Sequence, residues 1–267
     1  MKGIDMERTK TGEFNWVDIS AKDFDAQSAF YEGLLGWTFE DVPFGEGQTY
    51  RMFYKEGHTV AGMSQLAPEL LASGVTTSWN TYLATDDVDA TVAKAVELGA
   101  TVAIPPTDVG DSGRMAAIQD PTGAAIFFWK ASTHDETMTY YEPGTLSWND
   151  LNTHDPEKAA AFYSALVGWE LESRDEWPMP YWQISVDGQG QAGMMPMPAM
   201  VSAKVPSFWM PYFGASDIEA DVAKAEELGA TVWVKPTEVG GKVSFAVLSD
   251  PAGATFALMQ PLEAPKA

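Results

Sequence analysis

The chain has 267 residues, with Lys+Arg 16 against Asp+Glu 38, a formal charge of −22 and no cysteine. Its length and apolar share of 45% allow two packed domains, and its charge repels nucleic acid phosphate and anionic membrane alike. Without cysteine there are no disulfides, no thiolate nucleophile and no Cys-based metal or iron–sulfur site.

Met1 to Gly12 is polar and charged, neither a signal peptide nor an anchor, and no apolar run is long enough to span a bilayer. A cytoplasmic protein with a small-molecule partner is expected, rather than one bound to nucleic acid or membrane. After this segment the chain reads as strand, Asp-rich turn, amphipathic helix ending at Gly, then short strands, and it does so four times. The first pass runs through "FNWVDIS", "AFYEGLLGW" and "TYRMFY". In the second, Asp87 caps a helix whose apolar stripe is Val88, Val92, Ala95 and Val96, Gly99 ends it, and "ATVAIP", "RMAAIQD" and "AAIFFW" follow as strands. In the third, Asp155-Pro156-Glu157 is a cap with a first-turn proline, and Gly168 closes the helix. "GEGQ" and "DGQG", at 45–48 and 187–190, are hairpin turns.

The passes repeat in the order A-B-A′-B′. Trp16, Phe30-Tyr31 and Gly36-Trp37 match Trp148, Phe162-Tyr163 and Gly168-Trp169 without a gap. Trp79, Asp87, "ELGATV" and Asp120-Pro121-Thr122-Gly123 match Trp209, Asp217, "ELGATV" and Asp250-Pro251-Ala252-Gly253 at a second offset. The βαβββ modules span about 12–65, 76–130, 144–197 and 206–261. Gly- or Pro-rich breaks near 66–76, 131–144 and 196–206 separate them, and the middle break divides two domains, 1–135 and 136–267.

On the strength of "AFYxxLLGW", "DDVDATVAKAVELGA", "DPTGAAIFF" and "GTLSWNDL", the chain resembles the vicinal-oxygen-chelate superfamily of glyoxalase I, bleomycin-resistance proteins and extradiol dioxygenases. The closer likeness is to tandem glyoxalase-like proteins typified by a mycobacterial culture-filtrate antigen. The resemblance implies an α+β fold in which module pairs form two cup-shaped, mostly antiparallel eight-stranded sheets, with helices outside and a ligand cavity inside. Strand alternation then assigns faces. Val17, Ile19, Trp79, Thr81 and Leu83 suit the helix side, which turns Phe14, Trp16, Asp18, Asn80 and Tyr82 into the first cup. Trp148, Asp150, Met210 and Tyr212 enter the second.

Metal-dependent members of the superfamily carry His or Glu at the inward first-strand position and Glu in a last strand. Here the first-strand positions hold Trp16, Asn80, Trp148 and Met210, and the last strands of the B modules hold Phe127 and Ala257. The three histidines, His58, His134 and His154, fall in turns or linkers. No metal and no cofactor is expected. The cups read instead as aromatic boxes with a few polar groups. Trp16 and Trp148 serve either as core filler or as ligand walls. Asp18 and Asp150 are either held by neighbouring donors or act on a ligand, because an inward carboxylate needs a partner or a shifted pKa. Arg114 either pairs with Asp111 or Asp120 or binds a ligand oxygen. The Met-rich "AGMMPMPAM" lies near the mouth of the second cup, and the first cup is the more polar.

The expected function is metal-independent binding of a small apolar or aromatic oxygenated molecule, with conversion by Asp-assisted proton transfer of an isomerase, lyase or cofactor-free hydroxylase type. Asp18 is the base, Tyr82 and Asn80 orient the ligand, Trp16 and Phe127 wall it, and Asp150 is the counterpart of Asp18. Two alternatives stand beside this: a bleomycin-resistance type of sequestration without chemistry, and a metal-dependent dioxygenase or glyoxalase I, which the ligand positions oppose. The chain can complete both cups by itself, as a monomer or within a homodimer.

Overall fold

The computed structural model describes residues 4–6, 10–44, 47–132, 138–175, 177 and 179–262. A short strand, β1 (Ile4–Met6), precedes the first module: β2 (Phe14–Ala21), α1 (Phe24–Leu35), β3 (Thr38–Phe44), β4 (Gln48–Lys55) and β5 (His58–Gln65). A single-turn helix, α2 (Pro68–Ala72), leads to the second: β6 (Ser78–Ala84), α3 (Val88–Glu97), β7 (Thr101–Val109), β8 (Gly113–Gln119) and β9 (Ala125–Ala131). After β10 (Met138–Tyr140) the third module is β11 (Leu146–Thr153), α4 (Pro156–Val167), β12 (Glu170–Ser173), β13 (Trp182–Val186) and β14 (Gln189–Pro196). The fourth is β15 (Phe208–Gly214), α5 (Ile218–Glu227), β16 (Thr231–Val239), β17 (Val243–Ser249) and β18 (Thr255–Pro261).

The helices start and stop where the sequence says they should. Asp23, Asp87, Asp155 and Asp217 each accept the N–H of the residue three further on, at 3.0 to 3.1 Å. Gly36 and Gly168 close α1 and α4 in the left-handed region, at φ 69° and 76°. Along α3, Val88, Val92 and Ala95 are buried, whereas Val96 is 49% exposed, because three residues already fill the contact stripe of this ten-residue helix.

The first two modules share one eight-stranded sheet in the order β3-β4-β5-β2-β6-β9-β8-β7. The last two build its copy, β12-β13-β14-β11-β15-β18-β17-β16. The pairs β2–β5, β6–β9, β11–β14 and β15–β18 are parallel and the other neighbours in each sheet are antiparallel, so the inner strand of every module meets its last strand beside the centre of a cup. The 131–144 segment, expected as a break, contains β10, which bridges β5 and β11 and buries Tyr140. A fully buried aromatic there links the halves; residues 133–137 lie outside the described residues.

Each helix-side core draws on both halves of the chain. Val17, Ile19, Phe30, Tyr31 and Trp37 of the first module pack with Phe213, Ile218, Val222 and Phe256 of the fourth. Leu83, Val88 and Phe128 of the second pack with Leu151, Phe162, Tyr163 and Trp169 of the third. The repeated Phe-Tyr and Asp-Pro motifs are used here. Tyr31 Oη donates to Asp250 Oδ2 at 3.1 Å and accepts from Trp79 Nε1 at 3.0 Å. In the mirror arrangement Tyr163 Oη donates to Asp120 Oδ2 and accepts from Trp209 Nε1, both at 3.0 Å. Such buried polar links hold two large rings in one register while satisfying both hydroxyl roles.

Phe14 departs from the expected inward set. The register shifts between Phe14 and Trp16, a bulge that reverses the alternation at that point. Phe14 therefore lies in the helix-side core, 5.5 Å from Trp169 and 5.2 Å from Trp209 between ring centroids. The copy in β11 has the same shift between Leu146 and Trp148.

Candidate active site

The Trp-x-Asp of each first strand is the base of a hydrogen-bonded cluster. In the first cup β2 and β6 pair with Asp18 opposite Asn80 and Trp16 opposite Tyr82. Asp18 Oδ1 accepts from Asn80 Nδ2 at 2.8 Å, and Oδ2 accepts from Tyr82 Oη at 2.7 Å and Tyr50 Oη at 3.1 Å. Tyr50 Oη in turn accepts from Trp16 Nε1 at 2.9 Å, while Asn80 Nδ2 also donates to Ser20 Oγ at 2.9 Å. Phe127 lies against Tyr82, with ring centroids 4.8 Å apart. The ring of donors closes around a carboxylate that is 4% exposed.

The second cup repeats the aromatic part of the cluster and changes its polar part. Trp148 Nε1 is shared between Asp150 Oδ1 at 3.1 Å and Tyr181 Oη at 2.8 Å. Tyr181 Oη donates to Asp150 Oδ1 at 2.8 Å, and Tyr212 is a further hydrogen-bond partner. Trp177 stacks on Tyr181 at 4.7 Å between centroids. Opposite Asp150, where the first cup has Asn80, stands Met210, which donates nothing.

Burial governs both carboxylates. It raises Asp18 above the ordinary carboxylate value, against the pull of its bonds from Asn80, Tyr82 and Tyr50. It raises Asp150 to about 6, against the bonds from Tyr212, Tyr181 and Trp148. The same burial, helped by the neighbouring carboxylate, pushes Tyr82, Tyr181 and Tyr212 well above their usual range, so all three phenols remain protonated donors. At about 6, Asp150 is ionised at neutral pH yet basic enough to accept a proton from a bound ligand.

A cavity of about 1440 Å³ opens in the second cup. Trp148, Asp150, Asn152, Met210, Tyr212 and Phe245 line its interior, and it runs out to Met179, Met200 and Trp233, which is 62% exposed. Of the Met-rich segment, Met195 and Met200 face this space while Met194 belongs to the helix-side core.

The structure thus brings Trp16, Asp18, Asn80, Tyr82 and Phe127 together in one cup and Trp148, Asp150, Met210 and Tyr212 in the other. Arg114 is a correction. It shares a face of β8 with Ala116 and Ile118, which lie in the helix-side core, and its guanidinium binds Asp89 at 2.6 Å and Asp108 at 2.7 Å. It reaches neither cup, and its expected partners Asp111 and Asp120 are not the ones it uses.

Sequence reasoning passed over Tyr50 and Tyr181, which complete the two clusters, and Gly62 and Gly193, which make room for them. Gly62 lies beside Asp18 and Gly193 beside Asp150 in the parallel pairs. A Cβ on Gly62 would fall on Tyr50 Oη, and one on Gly193 on Tyr181 Oη and Asp150 Oδ1. The signal was present as a repeated Ala-Gly-Met, at 61–63 and 192–194.

The donor sets do not fit a divalent cation. Each cup offers one carboxylate, ringed by indole, phenol and either amide or thioether groups, whereas such an ion needs several converging nitrogen or oxygen ligands. Among the described residues no three His, Asp or Glu converge. His58 begins β5, the ring of the exposed His154 bonds Val205 O at 2.8 Å, and His134 lies outside the described residues. Among the described residues, no helix is long and apolar enough to cross a membrane.

Comparison with known proteins extends this geometry. The family model for the glyoxalase/bleomycin resistance protein/dioxygenase superfamily matches residues 13–128, and a glyoxalase-like domain model matches residues 149–259. The chain is 40% identical, over 94% of its length and 96% of the relative's, to a Mycobacterium tuberculosis protein named "Putative glyoxylase CFP32". It is 30% identical to the anthracycline biosynthesis protein DnrV of Streptomyces peucetius, over 96% of this chain and 95% of that one. Among solved structures, the Mn(II)-bound glyoxalase of Novosphingobium aromaticivorans superimposes with TM-score 0.64 at 17% identity, covering 96% of this chain and 84% of that one. A 4-hydroxymandelate synthase variant from Streptomyces coelicolor gives 0.62 at 14% identity, covering 97% and 95%. At such identities the two structures share the fold.

Proposed function

Because the chain belongs to the glyoxalase/bleomycin resistance protein/dioxygenase superfamily, whose cups hold small molecules, we propose that its second cup binds an apolar or aromatic oxygenated metabolite and that Asp150 moves a proton on it without a metal. The observation that carries this reading is Asp150 itself: a carboxylate with its pKa raised to about 6, at the wall of a 1440 Å³ cavity lined by aromatic and methionine side chains. Tyr181, Tyr212 and Trp148 hold it in place and donate to whichever oxygen becomes negative. Asp18, equally buried, is tied to Asn80, Tyr82 and Tyr50 on both oxygens, which suits a structural role in the first cup. The base is therefore assigned to Asp150 rather than Asp18. The relatives named for anthracycline biosynthesis support an aromatic ligand, since an anthracycline is an oxygenated fused-ring aromatic.

The second reading is sequestration with no reaction. The hydrogen bonds Asp150 already makes favour it, because a carboxylate gripped by three donors suits holding a ligand hydroxyl as well as deprotonating it. One screen separates the two. Phenols, aryl ketones and quinones are tested by thermal shift against wild type, Asp150→Asn and Asp18→Asn, and each hit is incubated and analysed by mass spectrometry. Altered product that depends on Asp150 supports catalysis, and unchanged ligand supports sequestration. Stoichiometric metal in protein purified without chelators, together with stabilisation by Fe(II), Mn(II), Ni(II) or Zn(II), would overturn the metal-free mechanism.

A further inference from the structure

We propose that Trp233 is the outer subsite of the second cup, a flat shelf on which the far ring of a multi-ring aromatic lies while its hydroxylated end meets Asp150. This rests on the second cup being the binding site and adds the ligand's length and direction. Trp233 follows the repeated "ELGATV", where the first copy has Ala103. Two further residues change with it: Ser249 and Thr255 stand where the first copy has Gln119 and Ala125. The three form one unit. Trp233 Nε1 donates to Ser249 Oγ at 2.8 Å, and that hydroxyl shares a hydrogen bond with Thr255 Oγ1 at 2.8 Å. Tied at its nitrogen, the indole keeps one orientation although most of the residue is open to solvent. An anchored, exposed ring beside a cavity is preorganised to stack, because its side-chain freedom is already spent.

Strand register sets this shelf across the cup from the carboxylate. Asp150 pairs with Met210 on β15. Tyr212 lies beside Ala257 in the parallel pair, so two residues back Met210 comes level with Thr255 on β18. Thr255 pairs with Ser249 on β17, and Ser249 with Thr231 on β16. Asp150, Met210, Thr255 and Ser249 thus stand in one row, and all four line the cavity, as Trp233 does. β16 is four strands from β11, roughly 19 Å around the sheet at about 4.8 Å per strand and less across its curve. A single ring cannot touch both ends. The floor between them is apolar, made by Met210, Phe245, Val247 and Met259. A flat, extended ring system fits that floor, and the indole at its end offers a second aromatic surface.

The test compares 2-naphthol with 6-phenyl-2-naphthol, which adds one ring at the end away from the hydroxyl, by calorimetric titration of the full chain. Wild type is expected to bind the longer probe more tightly. Trp233→Ala, which restores the first-copy residue at an exposed position, should cut that gain about fivefold to tenfold, the worth of one aromatic pair, and leave 2-naphthol binding unchanged. Trp233→Phe keeps a flat face and should retain most of the gain. Asp150→Asn should weaken both probes alike, because they share the hydroxyl. No gain from the added ring in wild type, or a gain that survives Trp233→Ala, overturns the shelf and leaves the second cup as a binding site. An equal loss for both probes in Trp233→Ala makes the indole a wall of the cup and overturns it as well. Binding that ignores Asp150→Asn overturns the direction assigned to the ligand. Failure of both probes to bind wild type overturns the site itself, and the shelf with it.

Discussion

The two cups start from one plan and differ in how they treat their carboxylate. In the first, Asn80 spends its amide on Asp18 and Ser20, and every polar group at the cluster is used. In the second, Met210 takes that place, Asp150 keeps only indole and phenol donors, and an amide is left unused at Asn152. The comparison teaches that exchanging the residue across the strand, Asn80 for Met210, changes the donors around a buried carboxylate with the aromatic frame intact. It is broken most directly by neutralising each carboxylate. Loss of a general base costs about 10²- to 10⁴-fold in rate. Asp150→Asn should reduce turnover of a converted ligand by that factor, and Asp18→Asn should change it no more than a few-fold. Equal losses measured in steady-state kinetics would assign chemistry to both cups.

The same substitution should act on stability in the opposite sense. The Asp150 pKa rises from 3.8 when unfolded to about 6 when folded, so between those values the folded chain holds more protons than the unfolded one. Stability therefore falls as pH rises through this window, by roughly 3 kcal/mol for this group alone, and Asp18 contributes in the same direction. Asp150→Asn should recover much of that at pH 8 and almost none near pH 2.5, well below 3.8, where the carboxyl is protonated in both states. Denaturant unfolding at the two pH values is the measurement. A variant destabilised equally at both would mean that the carboxylate is held by more than burial and three donors.

The tyrosines that buttress the carboxylates can be displaced without touching either charge. Gly62→Ala and Gly193→Ala put a methyl where Tyr50 Oη or Tyr181 Oη now stands, an overpacking worth about 1–3 kcal/mol. Both should lower the unfolding midpoint. Only Gly193→Ala should also weaken ligand binding, because Tyr181 lines the cavity. Parallel effects on binding would erase the distinction between the cups.

How much of this could be read in advance depended on whether a residue's place follows from local pattern alone. The four modules were legible because Asp caps, Gly stops and the Trp-x-Asp strand recur at constant offsets. Trp16, Asp18, Asn80 and Tyr82 were legible because strand alternation is strict over those residues. Phe14 was not, because a bulge reverses the alternation between it and Trp16. Arg114 was not, because Ala116, Ala117 and Ile118 beyond it are buried on both faces of β8 and leave no alternation to follow. Tyr50 and Tyr181 escaped because the offset between copies slips by one residue after the helix, so the two tyrosines do not align in a gapless comparison.

The smallest change that tests the comparison is to close the second cup as the first is closed. Met210 faces Asp150 in the same register in which Asn80 faces Asp18, so Met210→Asn places an amide where it can donate to the carboxylate. A hydrogen bond to the charged form favours that form, which should lower the Asp150 pKa from about 6 by about one unit, equivalent to about 1.4 kcal/mol. Carbon-detected NMR titration of labelled aspartate follows it directly, and the pH at which the fall in stability levels off should move down with it. The reverse exchange, Asn80→Met, should push Asp18 higher still and leave Ser20 without its donor. If Met210→Asn left the Asp150 titration in place, the partner across the strand would count for little, since the two carboxylates are equally buried.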